Sequence, residues 1–269
     1  MGEITMAQAL NRAIDEAMAE NSGVFCLGED VGAKQGGGVF KITAGLTEKY
    51  GENRIRATPI SETAIVGAAV GAALAGQRPI AEIMLMNFVG VCMDQIVNHA
   101  AKLRFMSGGQ TNVPLVIRTT TGVGVGFGGQ HSDMLEAWFA HVAGLHVVTP
   151  SNAADAQGLM RSSIDCNDPV IFIENILCYG LKSEDPGPGY RVPLGKAAVA
   201  REGSDISVIT YGRTVLDALA VASELANEGI SVEVIDLRSI APYDEATVLA
   251  SVRKTGRALT LHEAVRPFG

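Results

Sequence analysis

Positive charge is scarce in this chain: 21 Lys and Arg face 29 Asp and Glu, a net charge of −8. Nucleic acid and anionic membrane surfaces both reward basic patches, so neither is expected as a partner. Cysteine is scarce as well. Cys26, Cys92, Cys166 and Cys178 stand alone, with no Cys-x-x-Cys pair and no His-rich neighbour, which favours a reducing compartment over a disulfide framework or a zinc site. Long apolar runs are missing too. The longest stretch of apolar residues and glycine, Ala64 to Gly76, is too short to cross a bilayer as a helix. Met1 runs almost directly into a helical pattern at Thr5, so no signal or transit peptide is visible. The expectation is a soluble, cytoplasmic protein.

What the chain does have is length and alternation. Its 269 residues, 47% of them hydrophobic, suggest two domains at roughly 100–200 residues each. Thr5 can cap an amphipathic helix through Ala19, followed by the apolar strand Val24 to Leu27. Ser61 is expected to cap an Ala/Gly-rich helix ending at Gly76, and Pro79 to Met84 reads as the next strand. Helices are expected over Asp94 to Met106, Ser132 to Ala143 and Ala153 to Asp165. Strands are expected over Pro114 to Arg118, His146 to Val148 and Val170 to Ile173. This alternation implies an α/β fold with a largely parallel sheet covered on both faces. The Pro/Gly cluster Asp185-Pro186-Gly187-Pro188-Gly189 suits neither helix nor strand and marks a linker. It divides the chain into residues 1–185 and 186–269. The second unit reads β-α-β-α-β, with strands at Ile206 to Ile209, Val232 to Leu237 and Ala258 to His262.

Few residues stand out as chemistry. Glu62, in the first turn of its helix, is in the bland reading a dipole-complementing cap worth about 0.3–1 kcal/mol. Yet no charge follows it from Thr63 to Gly76, and a carboxylate desolvated between an apolar strand and an apolar helix can share a proton with a bound heterocycle. Gly67 and Gly71 on the same helix offer a small-residue face for core packing or for a second subunit. Gly124, Gly126 and Gly129 satisfy G-x-G-x-x-G, but the dinucleotide fingerprint expects an acidic residue about 20 positions on, and Thr149-Pro150 occupies that region. A flexible loop that lets backbone approach a ligand fits better. His131 follows that loop at a loop-to-helix junction beyond the C-terminal end of a strand, where α/β sheets bind ligands. His99, His141 and His146 fall inside helix or strand patterns and read as structural.

Six blocks then occur in order: Pro59-Ile60-Ser61-Glu62, Gly76 to Glu82, Asp94 to Asn98, Met106 to Gly109, Gln130-His131-Ser132 and Val148-Thr149-Pro150, with Asp236 to Pro242 in the second unit. Together they resemble the beta subunits of thiamine-diphosphate-dependent pyruvate, branched-chain 2-oxo acid and acetoin dehydrogenases. The resemblance spans essentially the whole chain. It implies a transketolase-like pyrimidine-binding domain followed by a transketolase C-terminal-like domain. It implies that Glu62 bonds the aminopyrimidine of thiamine diphosphate and that Phe88 packs on that ring. His131 matches a histidine concerned with proton handling and acyl passage to lipoamide. Residues matching Leu115, Ser163, Ile164, Cys166 and Asp168 hold a potassium ion in related subunits, though that loop is less well matched here. The implied partners are an alpha subunit in an alpha-2 beta-2 heterotetramer, a second beta chain, and a dihydrolipoyl acyltransferase core.

One motif is missing. Single-chain thiamine enzymes carry Gly-Asp-Gly followed some way on by Asn, which holds magnesium and the diphosphate. Gly28-Glu29-Asp30 has the wrong order, so the alpha subunit is expected to hold the magnesium. The family's beta chains continue past Arg266-Pro267-Phe268-Gly269, and the second domain is expected to be incomplete by comparison. Two other readings remain: a subunit of a split transketolase or deoxyxylulose-phosphate-type synthase, and a non-catalytic binding subunit of the same fold.

Overall fold

Thr5 closes a capping box at the start of the first helix, its hydroxyl accepting from the Gln8 N–H while the Gln8 side chain accepts from the Thr5 N–H. The computed structural model describes residues 2–267; Met1, Phe268 and Gly269 lie outside the described residues. The first unit runs β1 (Glu3–Thr5), α1 (Met6–Glu20), β2 (Val24–Glu29), α2 (Leu46–Tyr50), β3 (Ile55–Thr58), α3 (Glu62–Leu74), β4 (Arg78–Leu85), α4 (Leu103–Met106), β5 (Val116–Thr121), α5 (Glu136–Ala140), β6 (His146–Val148), α6 (Ala153–Asp165), β7 (Val170–Asn175) and β8 (Lys182–Glu184). The second runs β9 (Ala198–Arg201), β10 (Ile206–Thr210), α7 (Thr214–Ala226), β11 (Val232–Asp236), β12 (Ser239–Ala241), α8 (Glu245–Thr255) and β13 (Ala258–Thr260).

The main sheet has the order β12-β6-β7-β5-β4-β2-β3 and the smaller one β13-β10-β11-β9. All pairs are parallel except the edge strands β12 and β9, which are antiparallel. These two arrive through short extended segments rather than crossover helices, so nothing forces them parallel. β1 and β8 form a separate antiparallel ribbon. One apolar layer, with Leu10, Ile14, Leu159 and Met160, packs α1 and α6 on one face of the main sheet. A second, with Val66, Val70, Met86 and Ile96, packs α3 and the segment after β4 on the other. Burial on both faces is why β5 and β7 contain no exposed residue. Among the described residues no helix is long and apolar enough to cross a membrane.

Two expected helices are shorter than their patterns. The stretch from Asp94 becomes a π-type run, Gln95–Ala100, followed only by α4. The helix expected from Ser132 to Ala143 shrinks to α5. At its start Ser132 donates to the Gly128 carbonyl, and the Asp133 carboxylate accepts from Asn87, so side chains compete for the first turn. At its end Gly144 has φ +99°, and a Cβ there would sit 2.1 Å from the Ala101 carbonyl oxygen.

The two units are stitched as well as tethered. β12 pairs with β6 of the first sheet. Beside it Ser151 donates to Asp236 at 2.5 Å, Arg238 pairs with Asp155 at 2.7 Å, and the Tyr211 hydroxyl donates to Glu136 at 2.6 Å. The Asp236 carboxyl is buried, and that burial pushes it up to about 7.

Candidate active site

The C-terminal ends of β2, β4 and β5 point to one edge of the main sheet, and the segments leaving them build the candidate site. After β4 the chain turns through a 3-10 run, Met86–Cys92, anchored by buried Met86, Val89 and Cys92. Phe88 is half-buried on this run. Its ring lies edge-on to the His131 imidazole, with centroids 5.2 Å apart and planes at 78°, a favourable aromatic geometry. Asn87 next to it donates to the Asp133 carboxylate at 2.7 Å and accepts from the Asp133 N–H at 3.3 Å. The turn after β4 and the loop after β5 are thereby held as one body. The His131 Nδ1 is buried and has no hydrogen-bond partner among the described residues.

Glu62 opens α3 on the same edge. Ser61 occupies the N-cap position, but its hydroxyl makes no capping bond, so the N-terminal N–H groups of α3 keep their capacity for another acceptor. Thr63 donates to the Val91 carbonyl at 2.9 Å, fixing the start of α3 against the run that carries Phe88. Burial pushes the Cys92 thiol up to about 12, and the Glu62 carboxylate adds to that rise. Glu29, at the end of β2, has its carboxyl held above the usual range by burial and by the neighbouring Asp30 and Glu62 carboxylates. Sequence reading weighed Glu29 only as part of a failed metal motif. Its position at the end of a parallel strand was the signal that could have placed it here.

The glycine-rich loop lies open beside this edge. Gly124, Gly126 and Gly128 all have positive φ, and a Cβ on any of them, or on Gly129, would meet nothing within 4 Å. The structure thus brings together Glu62, Phe88 and His131 around the Met86–Cys92 run. It separates them from Leu115, Ser163, Ile164, Cys166 and Asp168, which lie before β5, at the end of α6 and before β7, on the opposite edge of the sheet. In that loop Arg78 donates to the Ile164 and Cys166 carbonyls at 2.8 and 2.9 Å. The Ser163 carbonyl accepts from the Cys166 N–H, and the Leu115 carbonyl from the Val170 N–H. Each carbonyl oxygen has a second lone pair, so the loop retains the oxygen-donor character that a monovalent cation needs.

The chain matches the transketolase pyrimidine-binding domain over residues 2–179 and the transketolase C-terminal domain over residues 195–269. It is 48% identical over 271 aligned positions to pyruvate dehydrogenase E1 component subunit beta-1, mitochondrial, of Arabidopsis thaliana, covering 99% of this chain and 74% of that protein. The chain belongs to the transketolase-like E1 beta-subunit family. Another member, the acetoin:2,6-dichlorophenolindophenol oxidoreductase subunit beta of Cupriavidus necator, is 47% identical, with 97% of this chain and 80% of that one covered. The pyruvate dehydrogenase E1 component subunit beta of Acholeplasma laidlawii is 45% identical, with 100% and 82% covered. Among solved structures, a split-gene transketolase, an inactive beta4 tetramer, superposes with a TM-score of 0.80 at 23% identity, covering 98% of this chain and 81% of that one. At that identity the likeness speaks for the fold alone. For an E1 beta subunit the pyrimidine end of thiamine diphosphate is the group to test, and the residues present fit it. A half-buried carboxylate at an uncapped helix start, an aromatic ring, and an imidazole with an unpartnered buried nitrogen share one edge.

Proposed function

We propose that this chain is the beta subunit of a thiamine-diphosphate-dependent 2-oxo acid or acetoin dehydrogenase, working with an alpha subunit and passing an acyl group to lipoamide. The observation that carries the reading is the clustering of Glu62, Phe88 and His131 around the Met86–Cys92 run in a chain 48% identical to a pyruvate dehydrogenase E1 beta subunit. Bound thiamine diphosphate supplies the thiazolium carbon at which the carbanion chemistry occurs. Glu62 holds a proton against a ring nitrogen of the aminopyrimidine, because its carboxylate both accepts and returns a proton where an amide cannot. Phe88, clamped edge-on by His131 and through Asn87 by Asp133, offers its face to the pyrimidine. His131 carries a proton at the mouth of the site, where the open glycine loop leaves room for an incoming acyl acceptor.

The diphosphate and its magnesium are assigned in this proposal to the alpha subunit, since the chain lacks a Gly-Asp-Gly…Asn motif and two close phosphates need a cationic partner to be buried. The assembly proposed is an alpha-2 beta-2 heterotetramer on a dihydrolipoyl acyltransferase core. The face of α3 bearing Ala64, Ala68, Gly71 and Ala75 is exposed and suits a beta–beta contact, whereas a Cβ on Gly67 would sit 3.6 Å from the Gln95 side chain of its own chain. A domain boundary at 185/186 is supported by β8 lying with the first unit and β9 with the second sheet. A potassium ion on the carbonyls of Leu115, Ser163, Ile164, Cys166 and Asp168 would make thermal stability higher in potassium chloride than in choline chloride.

The test is reconstitution. The chain co-expressed with its alpha subunit should reduce an artificial electron acceptor in the presence of pyruvate, a branched-chain 2-oxo acid or acetoin, and should acylate lipoamide. Transfer of two-carbon units between sugar phosphates, with no 2-oxo acid or acetoin oxidation, would favour the split-transketolase reading instead.

A further inference from the structure

The edge of the main sheet farthest from Glu62 carries a second group of ligand-type side chains. His146 is the first residue of β6, and Cys166 and Asp168 follow α6 in the turn leading to β7. Their candidate ligand atoms (one imidazole nitrogen, the thiol sulfur and one carboxylate oxygen) all lie within 4.8 Å of one another. The sequence hides this grouping, since twenty positions separate the histidine from the cysteine; only the β6–α6–β7 crossover brings them together.

The backbone holds the three in place independently of any ligand. The His146 N–H donates to the Pro169 carbonyl at 2.9 Å, which fixes β6 against the turn. The Asp168 N–H donates to the Cys166 sulfur at 3.4 Å. Arg78 pins the same turn through the Ile164 and Cys166 carbonyls and the Asn167 side chain. The His146 Nδ1 is buried and has no hydrogen-bond partner among the described residues, and such an orphaned polar atom calls for a ligand, an ion or a water. Asp168 and Pro169 also border a cavity of about 430 Å³, lined further by Ala101, Arg104 and Gly144.

We propose that His146, Cys166 and Asp168 bind a divalent transition-metal cation, zinc by the character of the donors, with the remaining position open toward this cavity. An imidazole, a thiolate and a carboxylate form a borderline-soft set that suits zinc and not magnesium or potassium. Tetrahedral zinc with bonds of roughly 2.0–2.3 Å places its ligand atoms about 3.5 Å apart. The three side chains therefore close by about an ångström on binding, a movement that χ rotations of Cys166 and Asp168 supply. Arg104 already donates to both Asp168 oxygens, at 2.6 and 2.7 Å, but each oxygen keeps further lone-pair capacity, so one of them can also face a metal. Binding displaces the thiol proton to solvent, leaving the thiolate as the ligand. A potassium ion on the backbone carbonyls of the same turn would leave the thiol and the imidazole untouched, which separates the two sites experimentally.

The full-length chain, stripped with a chelator, is titrated with cobalt(II), followed by zinc(II). The expected result is a near-ultraviolet sulfur-to-cobalt charge-transfer band with visible bands of tetrahedral cobalt, bleached by zinc. Cys166→Ser should abolish the charge-transfer band, and His146→Gln and Asp168→Asn should each weaken cobalt binding by about tenfold or more. Circular dichroism of each variant, matched to the parent, keeps a folding defect from imitating a lost ligand. The proposal is overturned if no charge-transfer band develops, if the band persists in Cys166→Ser, or if His146→Gln and Asp168→Asn bind cobalt as the parent does.

Discussion

Arg118 offers a quantitative test of how the main sheet is held together beneath the site. It lies on β5 with its side chain 3% exposed, donating to both Glu174 oxygens at 2.7 Å on one side and to Glu82 on the other. The Tyr179 hydroxyl completes the set by donating to Glu174 at 2.6 Å. Burial holds the Glu82 carboxyl above its usual range even with the Arg118 charge opposing that rise, and the two carboxylates keep Arg118 firmly protonated. Arg118→Met would strand two buried carboxylates. Removing one partner of a buried pair costs about 3–5 kcal/mol, and two pairs share this cation. The loss has a ceiling, because a stranded carboxyl can take up a proton at about 1.4 kcal/mol per pH unit above its folded pKa. We expect a loss of about 3–5 kcal/mol at pH 7.5. The sign of the pH dependence follows from the upward shift: a carboxyl raised in the folded state stabilises below its unfolded pKa, and that stability is lost as pH rises through the folded value. The deficit should therefore shrink at pH 5.5. Urea unfolding followed by the fluorescence of Trp138, the single tryptophan, reports it, with Arg118→Lys recovering part of the loss. A deficit below about 1 kcal/mol, or one equal at the two pH values, would refute the reasoning.

Asp236 gives the joint between the units its own pH signature. Burial first, then the Asp155 carboxylate, raise it to about 7 against the Ser151 hydroxyl and Arg238. Relative to Asp236→Asn, the parent should lose roughly 1.4 kcal/mol per pH unit between pH 5 and 7 and level off above. Parallel curves for the two proteins would contradict the assignment. His131→Ala in the reconstituted enzyme should lower turnover with lipoamide more than with an artificial electron acceptor. Equal losses would place His131 before acyl transfer, or in the packing of Phe88 alone.

The parts of this molecule that the sequence makes legible are those governed by local pattern. Thr5 announces α1, the apolar strings of β2, β4 and β7 announce buried parallel strands, and α6 starts at the expected Ala153. What stayed illegible depends on partners distant in sequence. β12 is a strand only because β6 is there to receive it, and β9 only because β11 is. The helix expected from Ser132 to Ala143 loses its first turn to Asn87 and the glycine loop. In the site, Glu62 and His131 could be singled out from their junction positions and Phe88 from the family resemblance. The joining of Phe88 to His131, and the proximity of Glu29 to Glu62, required the fold. The His146–Cys166–Asp168 group was invisible for the same reason, and His146 had read as merely structural.

The central claim is that Glu62 moves the proton that makes the cofactor reactive, and hydrogen–deuterium exchange at C2 of the thiazolium tests it most directly. The chain is assembled with its alpha subunit, thiamine diphosphate and magnesium, and exchange is timed in the parent and in Glu62→Gln. If the carboxylate shares the pyrimidine proton, the amide should slow exchange by about 10²–10⁴-fold, the range for a positioned acid–base group, while cofactor affinity falls far less. Exchange at the parental rate in Glu62→Gln, with the cofactor bound, would remove Glu62 from the chemistry.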